Sequence, residues 1–253
     1  MPVLSALLRP LAFALLVTTL SCSSHRKVTN LEDLIARNTE AMGGRDAVEA
    51  VHSVAVDLHI VDPDFTADGI YYAARPGKMR IDIKADGRNV YTEAFDGKRG
   101  WQWKGRGDEV VAESSKATAA LSHGVELPGH LYGLHEVRER GHQLELIGRE
   151  EVDGIRYYAL RLTMKDGYTT TLYLDPQSWF ITRRRDFRPL HIDIDPTPTT
   201  IEQCMSDFRK VSGVTFSFAN TETDLTTGKV LETTTAQAIT VNPQIDPTRF
   251  EKL

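Results

Sequence analysis

The sequence predicts a mainly β protein with some helix, an α+β chain built on one antiparallel sheet, and three observations carry that expectation. Asp-Gly pairs recur at Asp68-Gly69, Asp86-Gly87, Asp96-Gly97, Asp153-Gly154 and Asp166-Gly167, the dipeptide that supplies the positive-φ pair of a tight hairpin turn. Short runs between them alternate apolar and polar residues, most cleanly where Met79, Ile81 and Ile83 alternate with Arg80, Asp82 and Lys84, the pattern of a half-buried strand. A single helical stretch stands at the front. Antiparallel strands following one another in sequence leave one face greasy and one wet, and the greasy face requires a cover.

The helix is expected over Asn30 to Gly44. Asn30 is the cap, Asp33 holds the reciprocal capping position, and Gly43-Gly44 ends it. Leu31, Leu34, Ile35, Asn38, Ala41 and Met42 share one face, which reads as core against the sheet. Strands follow from His52 onward, including Arg88 to Phe95 and Arg99 to Lys104. Ala112 to Gly133 breaks the rhythm: Ser114-Ser115 can cap a short helix, and Pro128 with two glycines marks an irregular stretch. Strands resume over Gln143 to Glu150, Tyr157 to Met164, Tyr168 to Leu174, Trp179 to Asp186, Thr200 to Arg209, Val214 to Asn220 and Val230 to Val241. About ten or eleven strands in sequence order either close into a barrel or curl into an incomplete one. The front helix and the helical insert are natural covers for an open concave face. No linker divides the chain, so 30–253 reads as one domain.

The N-terminus reads as an export signal. Arg9 precedes the apolar run Leu11 to Leu20, which is too short to span a bilayer. Thr19-Leu20-Ser21-Cys22 resembles a bacterial lipobox, placing lipidation on Cys22, a signal peptide over 1–22 and a polar tether over 23–29. Thr-Leu-Ser equally satisfies the small-x-small site of ordinary signal peptidase. Both routes export the protein. Lipidation followed by Ser23 would place it on the periplasmic face of the outer membrane of a bacterial envelope, held by an N-terminal lipid anchor. Cys204, left unpaired in that case, reads as a small hydrophobe on a strand.

Composition narrows the function. A formal charge of -5 with no basic stripe argues against nucleic acid. Arg183-Arg184-Arg185 is too short for one and reads as solvated edge charge. No nucleophile elbow, P-loop or dinucleotide fingerprint occurs, so no catalytic residue and no cofactor is expected. His191, Asp193 and Asp195 would share one side of an extended run, but the adjoining Pro196-Thr197-Pro198 favours solvated loop charges over a metal trio. His123, His130, His135 and His142 read as exposed loop residues of the insert.

In order along the chain stand Ala41-Met42-Gly43-Gly44, Arg75-Pro76-Gly77-Lys78-Met79-Arg80, Phe95-Asp96-Gly97-Lys98-Arg99-Gly100-Trp101, Tyr173-Leu174-Asp175-Pro176, Val211-Ser212-Gly213-Val214-Thr215-Phe216, and the tail from Ile239 to Phe250. Together these stretches resemble the LolA and LolB lipoprotein carriers and their relatives among outer-membrane lipoprotein-sorting proteins. The resemblance implies an unclosed antiparallel half-barrel with a helical lid, enclosing an apolar cavity for the acyl chains of a lipid or lipoprotein. The family's Arg-Pro-x-x-Phe stretch overlays Arg75 to Met79, with Met in place of Phe. It implies that Arg75 bonds lid backbone and Met79 meets the ligand, as a gating pair. From the residues alone, an Arg on a loop before Pro is usually a solvated residue. Ile81, Ile83, Trp101, Trp103, Leu160, Leu162, Met164, Phe216 and Phe218 are the expected cavity wall, or, read as aromatic and aliphatic stripes, plain core. Three functions remain: a non-enzymatic lipid or lipoprotein binder, a sensor or protein-interaction module on the same scaffold, and an unrecognised hydrolase.

Overall fold

The computed structural model describes residues 30–251 other than Arg106, Asp108, Leu190, His191 and Ile194. Cys22 and the export signal lie outside the described residues. Among those described, no helix is long and apolar enough to cross a membrane.

The chain opens with α1 (Leu31–Ala41) and α2 (Arg45–Glu49). Six strands follow: β1 (Ser53–Val61), β2 (Thr66–Ala74), β3 (Lys78–Ala85), β4 (Arg88–Phe95), β5 (Gly100–Trp103) and β6 (Val110–Ala112). The insert then forms α3 (Ser115–Glu126) and α4 (Glu136–Glu139). Seven further strands complete the sheet: β7 (Gln143–Val152), β8 (Ile155–Thr163), β9 (Thr169–Leu174), β10 (Ile181–Arg188), β11 (Thr199–Val211), β12 (Val214–Asp224) and β13 (Lys229–Val241). A 3-10 turn, Pro247–Phe250, follows them.

All thirteen strands form one antiparallel sheet in the order β6-β5-β4-β3-β2-β1-β13-β12-β11-β10-β9-β8-β7. The first and last strands pair in its middle, Val56 opposite Ile239. Its two edges, β6 and β7, are therefore consecutive in the chain, and α3 and α4 lie in the segment that joins them. Strand twist accumulates across so wide a sheet and curls it. It stays unclosed, and the insert crosses its open side.

Among the described residues there are thirteen strands rather than ten or eleven: β6 adds a short strand not expected there, and His52 to Ala74 is a hairpin turning elsewhere than expected. Asp68-Gly69 lies inside β2, opposite His59 and Leu58. The turn is made at Asp62-Pro63-Asp64, where Asp62 and Phe65 exchange backbone bonds of 2.9 and 3.3 Å; proline with flanking Asp favours that geometry. Gly69 serves packing instead: a Cβ there would stand 3.2 Å from Ile83 Cδ1 and 3.4 Å from Ile60 Cδ1. At Asp86-Gly87 and Asp153-Gly154 both residues have positive φ, as the tight hairpins β3–β4 and β7–β8 require.

Two apolar clusters fill the concave side. Val54, Val56, Ala73, Met79, Phe95, Phe216, Phe218 and Ile239 pack with Val125 and Leu131 of the insert. Leu144, Leu160, Leu162, Met164, Leu172 and Leu174 pack beneath Leu34 and Ile35 of α1 and Leu127, Leu134 and Val137 of the insert. Asn30 caps α1 by accepting from Asp33 N at 2.9 Å. The helix is fastened to the sheet where Thr215 N donates to Met42 O at 2.8 Å. Gly43 makes that approach: a Cβ would fall 2.2 Å from the Gly213 carbonyl.

A lidded cavity on the concave face

The segment 127–134 between α3 and α4 roofs the sheet. Ser114 caps α3 through Ala117 N at 3.1 Å, and Gly129 N donates to Tyr132 O at 2.9 Å, folding the segment back on itself. Leu127, Leu131, Tyr132 and Leu134 are buried in it.

Arg75, between β2 and β3, holds this roof. Its Nε donates to Val51 O at 2.7 Å and one terminal nitrogen to Leu131 O at 2.5 Å. The fork also grips Glu136 of α4 at 2.5 and 3.1 Å, the bidentate geometry suited to a carboxylate. Burial opposes ionisation of Glu136, but bonds from Arg75 and Gly133 N outweigh it and hold its pKa below the ordinary value. The Tyr132 ring lies 4.4 Å from the Arg75 guanidinium and 3.6 Å from that of Arg140. Further ties run along the insert. His123 meets Asp166 at 2.6 Å and stacks on Tyr168. His142 and Arg140 both reach Glu126 at 3.0 Å. Ser114 bonds Asp193 of the β10–β11 connection.

These contacts correct the expectation of exposed histidines. His135 and His142 are buried, and His130 turns inward, its ring 5.5 Å from Tyr71 and 6.2 Å from Phe216. Burial pushes its pKa down to about 4. Of the trio His191, Asp193 and Asp195, His191 lies outside the described residues, Asp193 serves the α3 cap, and no metal-binding group occurs among the described residues.

Between roof and sheet is a cavity of about 190 Å³ whose wall includes Met42, Tyr71, His130, Leu131, Phe208 and Phe216. A dry cavity of about 150 Å³ accommodates benzene, whereas sites for larger ligands run to about 300–1,000 Å³. The space as it stands holds a short apolar segment, and a long acyl chain would require the roof to lift.

The residues expected at the wall are placed as follows. Phe216 lines it. Met79 and Phe218 are buried in the first apolar cluster with Ile81 packed against them, and Leu160, Leu162 and Met164 are buried beneath α1. Ile83 is half-buried further along β3. Trp101 and Trp103 are on the other face, a correction fixed by register. Trp101 stands opposite Ala94, Ala94 opposite Arg80 and Arg80 opposite Tyr72, the convex row. There Trp101 Nε1 donates to Phe250 O at 3.0 Å, and the C-terminal turn covers it. The tail was legible as a sequence pattern, but its docking site was not.

The arginine triple is a second correction. β10 is an interior strand, not an edge. Arg183 and Arg185 are paired on the convex side with Glu202 at 2.7 and 2.6 Å. Arg184 points the other way and lines the cavity, its Nε bonded to Asp186 at 2.8 Å. Burial works against both charges of that pair, and each partner holds the other ionised. Strict alternation through Arg183-Arg184-Arg185 was the signal that could have found it.

Solved structures share this architecture. The likeness is one of fold. A LolA superfamily protein from Nitrosomonas europaea superposes with a TM-score of 0.57 at 12% identity, over 89% of this chain and 99% of that one. A DUF1329 family protein from Desulfovibrio piger gives 0.59 at 15%, over 88% and 98%. A structure described as an outer membrane lipoprotein-sorting protein domain, from Vibrio parahaemolyticus, gives 0.57 at 11%, over 88% and 98%. No protein-family model and no curated protein sequence matches the chain.

Proposed function

We propose that the protein is a non-enzymatic binder of acyl chains in the bacterial cell envelope, acting as a lipid or lipoprotein carrier and tethered through Cys22. The observation that carries this reading is the cavity between the 127–134 roof and Phe216, closed by a segment that packs its leucines on the sheet and that Arg75 fastens through hydrogen bonds. Each buried CH₂ stabilises a bound chain by about 0.8 kcal/mol, so a long chain would be held too tightly to release unless opening and closing the roof offsets part of that gain. Arg75 is the gate in this reading, with Met79 in the packing beneath α3. The likeness to a lipoprotein-sorting domain supports it as analogy of fold.

The test is native mass spectrometry of the full chain, exported to a bacterial periplasm and purified without detergent. A bound mass in the range of fatty acids, phospholipids or lipopeptides, lost on denaturation, is the expected result. A ligand-free mass with no uptake of added lipid would overturn the reading and leave the half-barrel as an interaction scaffold.

A further inference from the structure

The cavity wall is not uniformly apolar. Three neighbouring strands each turn a polar side chain into it: Arg184 from β10, Gln203 from β11 and Asn220 from β12. Arg184 and Gln203 are direct cross-strand partners, and Asn220 stands opposite Met205 on the next strand pair. The apolar side chains Met42, Val125, Leu131, Phe208 and Phe216 complete the enclosure.

Arg184 is the decisive group. A guanidinium carries five N–H donors, and here only Nε is bonded, to Asp186. Among the described residues neither terminal nitrogen has a hydrogen-bond partner, and neither does the Gln203 amide. Asp186 is itself committed further, accepting from Tyr168 Oη at 2.7 Å and lying 4.0 Å from Arg188. Arg188 in turn pairs with Glu222 at 3.2 Å. The four charges balance, so the cluster needs no counter-ion, yet donors remain aimed into a partly apolar enclosure. The Arg184 side chain keeps 17% of its surface exposed, so these donors are within reach of solvent and can exchange water for a bound acceptor. An acceptor with two oxygens on one centre matches the guanidinium fork best.

Resting on the reading of the cavity as an acyl-chain site, we infer that its ligand is an acyl amphiphile with an anionic head, a carboxylate or a phosphate, which Arg184 and Gln203 hold while the chain lies under the roof against Phe208 and Phe216. This assigns a head-group site to the middle arginine of a triple whose outer members serve only the convex face.

Isothermal titration of the full-chain protein with dodecanoate, dodecyl phosphate and dodecanol tests the assignment. Both anions are expected to bind at least tenfold more tightly than the alcohol, and the better of the two identifies the head group. In the double variant Arg184→Gln/Asp186→Asn, which removes both charges of the buried pair together, the alcohol should bind as before and the preference should vanish. Circular dichroism and a thermal melt establish that the variant folds; if it does not, Gln203→Leu, which breaks no ion pair, should reduce the preference several-fold. Equal binding of all three probes overturns the head-group assignment and leaves the acyl-chain reading standing. Binding of none overturns both.

Discussion

Arg75 donates to both carboxylate oxygens of Glu136 at 2.5 and 3.1 Å, joining a turn between two strands to a helix 61 residues away. The same guanidinium holds the Leu131 carbonyl, so one side chain fastens the roof at two points. Replacing it with Ala removes the cation from a largely buried carboxylate, which keeps the Gly133 N–H, and takes a donor from the Val51 and Leu131 carbonyls. Breaking such a pair costs about 3 kcal/mol, read as a lower urea midpoint. Arg75→Lys keeps the charge and loses the fork, and should recover only part of it. Hydrogen exchange should quicken across 127–134 in both variants; unchanged exchange there would sink the gating role.

Glu113 sits beside the α3 cap, where burial first, then Glu93 and Asp193, push its pKa up to about 7. A carboxyl raised in the folded state costs no stability below its unfolded value near 4.5. The penalty grows as pH rises through that value and is complete above about 7. Glu113→Gln should therefore raise the melting temperature at about pH 8 and leave it unchanged near pH 4. A gain of the same size at both would show that the carboxylate is not the cause.

His130 gives the opposite sign. Its folded pKa, about 4, lies below the ordinary 6.5, so its contribution is full above 6.5 and is lost as pH falls from there toward 4. NMR titration of its ring should show a midpoint near 4. A midpoint near 6.5 would mean that the ring faces water and that the roof is open in solution.

The joint between α1 and the sheet predicts a contrast between neighbours. Gly43 has φ 122°, and a Cβ there would collide with the Gly213 carbonyl, whereas at Gly44, φ 92°, nothing stands within 4 Å. Gly43→Ala should destabilise by more than about 2 kcal/mol, and Gly44→Ala by about 1 kcal/mol from backbone strain alone. Equal losses in urea melts would refute the close approach.

The two faces of the sheet can be separated by aromatic substitution. Trp101→Phe loses the bond to Phe250 O, about 1 kcal/mol, and should leave binding of an acyl probe unchanged. Phe216→Ala, in the cavity wall, should cost about 3 kcal/mol and change probe affinity at least several-fold. The reverse pattern would place the binding face on the convex side.

The candidate site was partly legible in the chain. Arg75 stands out in the sequence because its stretch resembles a carrier motif, although an Arg before Pro also reads as a solvated loop residue. Arg184, His130 and Phe208 do not stand out, because what distinguishes each is the surface it meets across the fold. His130 sits in a glycine- and proline-rich segment that reads as exposed loop, and the rings of Tyr71 and Phe216, from distant strands, flank it in the fold.

Local chemistry determined what local chemistry can. The Asn30 cap and Gly43-Gly44 bounded α1, positive-φ pairs set the hairpins, and alternation marked most of the strands, since turn conformations and side-chain period are properties of a few neighbouring residues. Which face of a strand becomes the inside was decided only by tertiary structure. Trp101 and Gln102 differ in face by one position, and alternation alone assigns neither to the cavity. The pairing of β1 with β13 made β6 and β7 the edges, drew the insert across the opening and left the C-terminal turn to cover the convex side. Those choices depend on burying apolar area between segments far apart in sequence, a free energy that no short stretch of the chain contains.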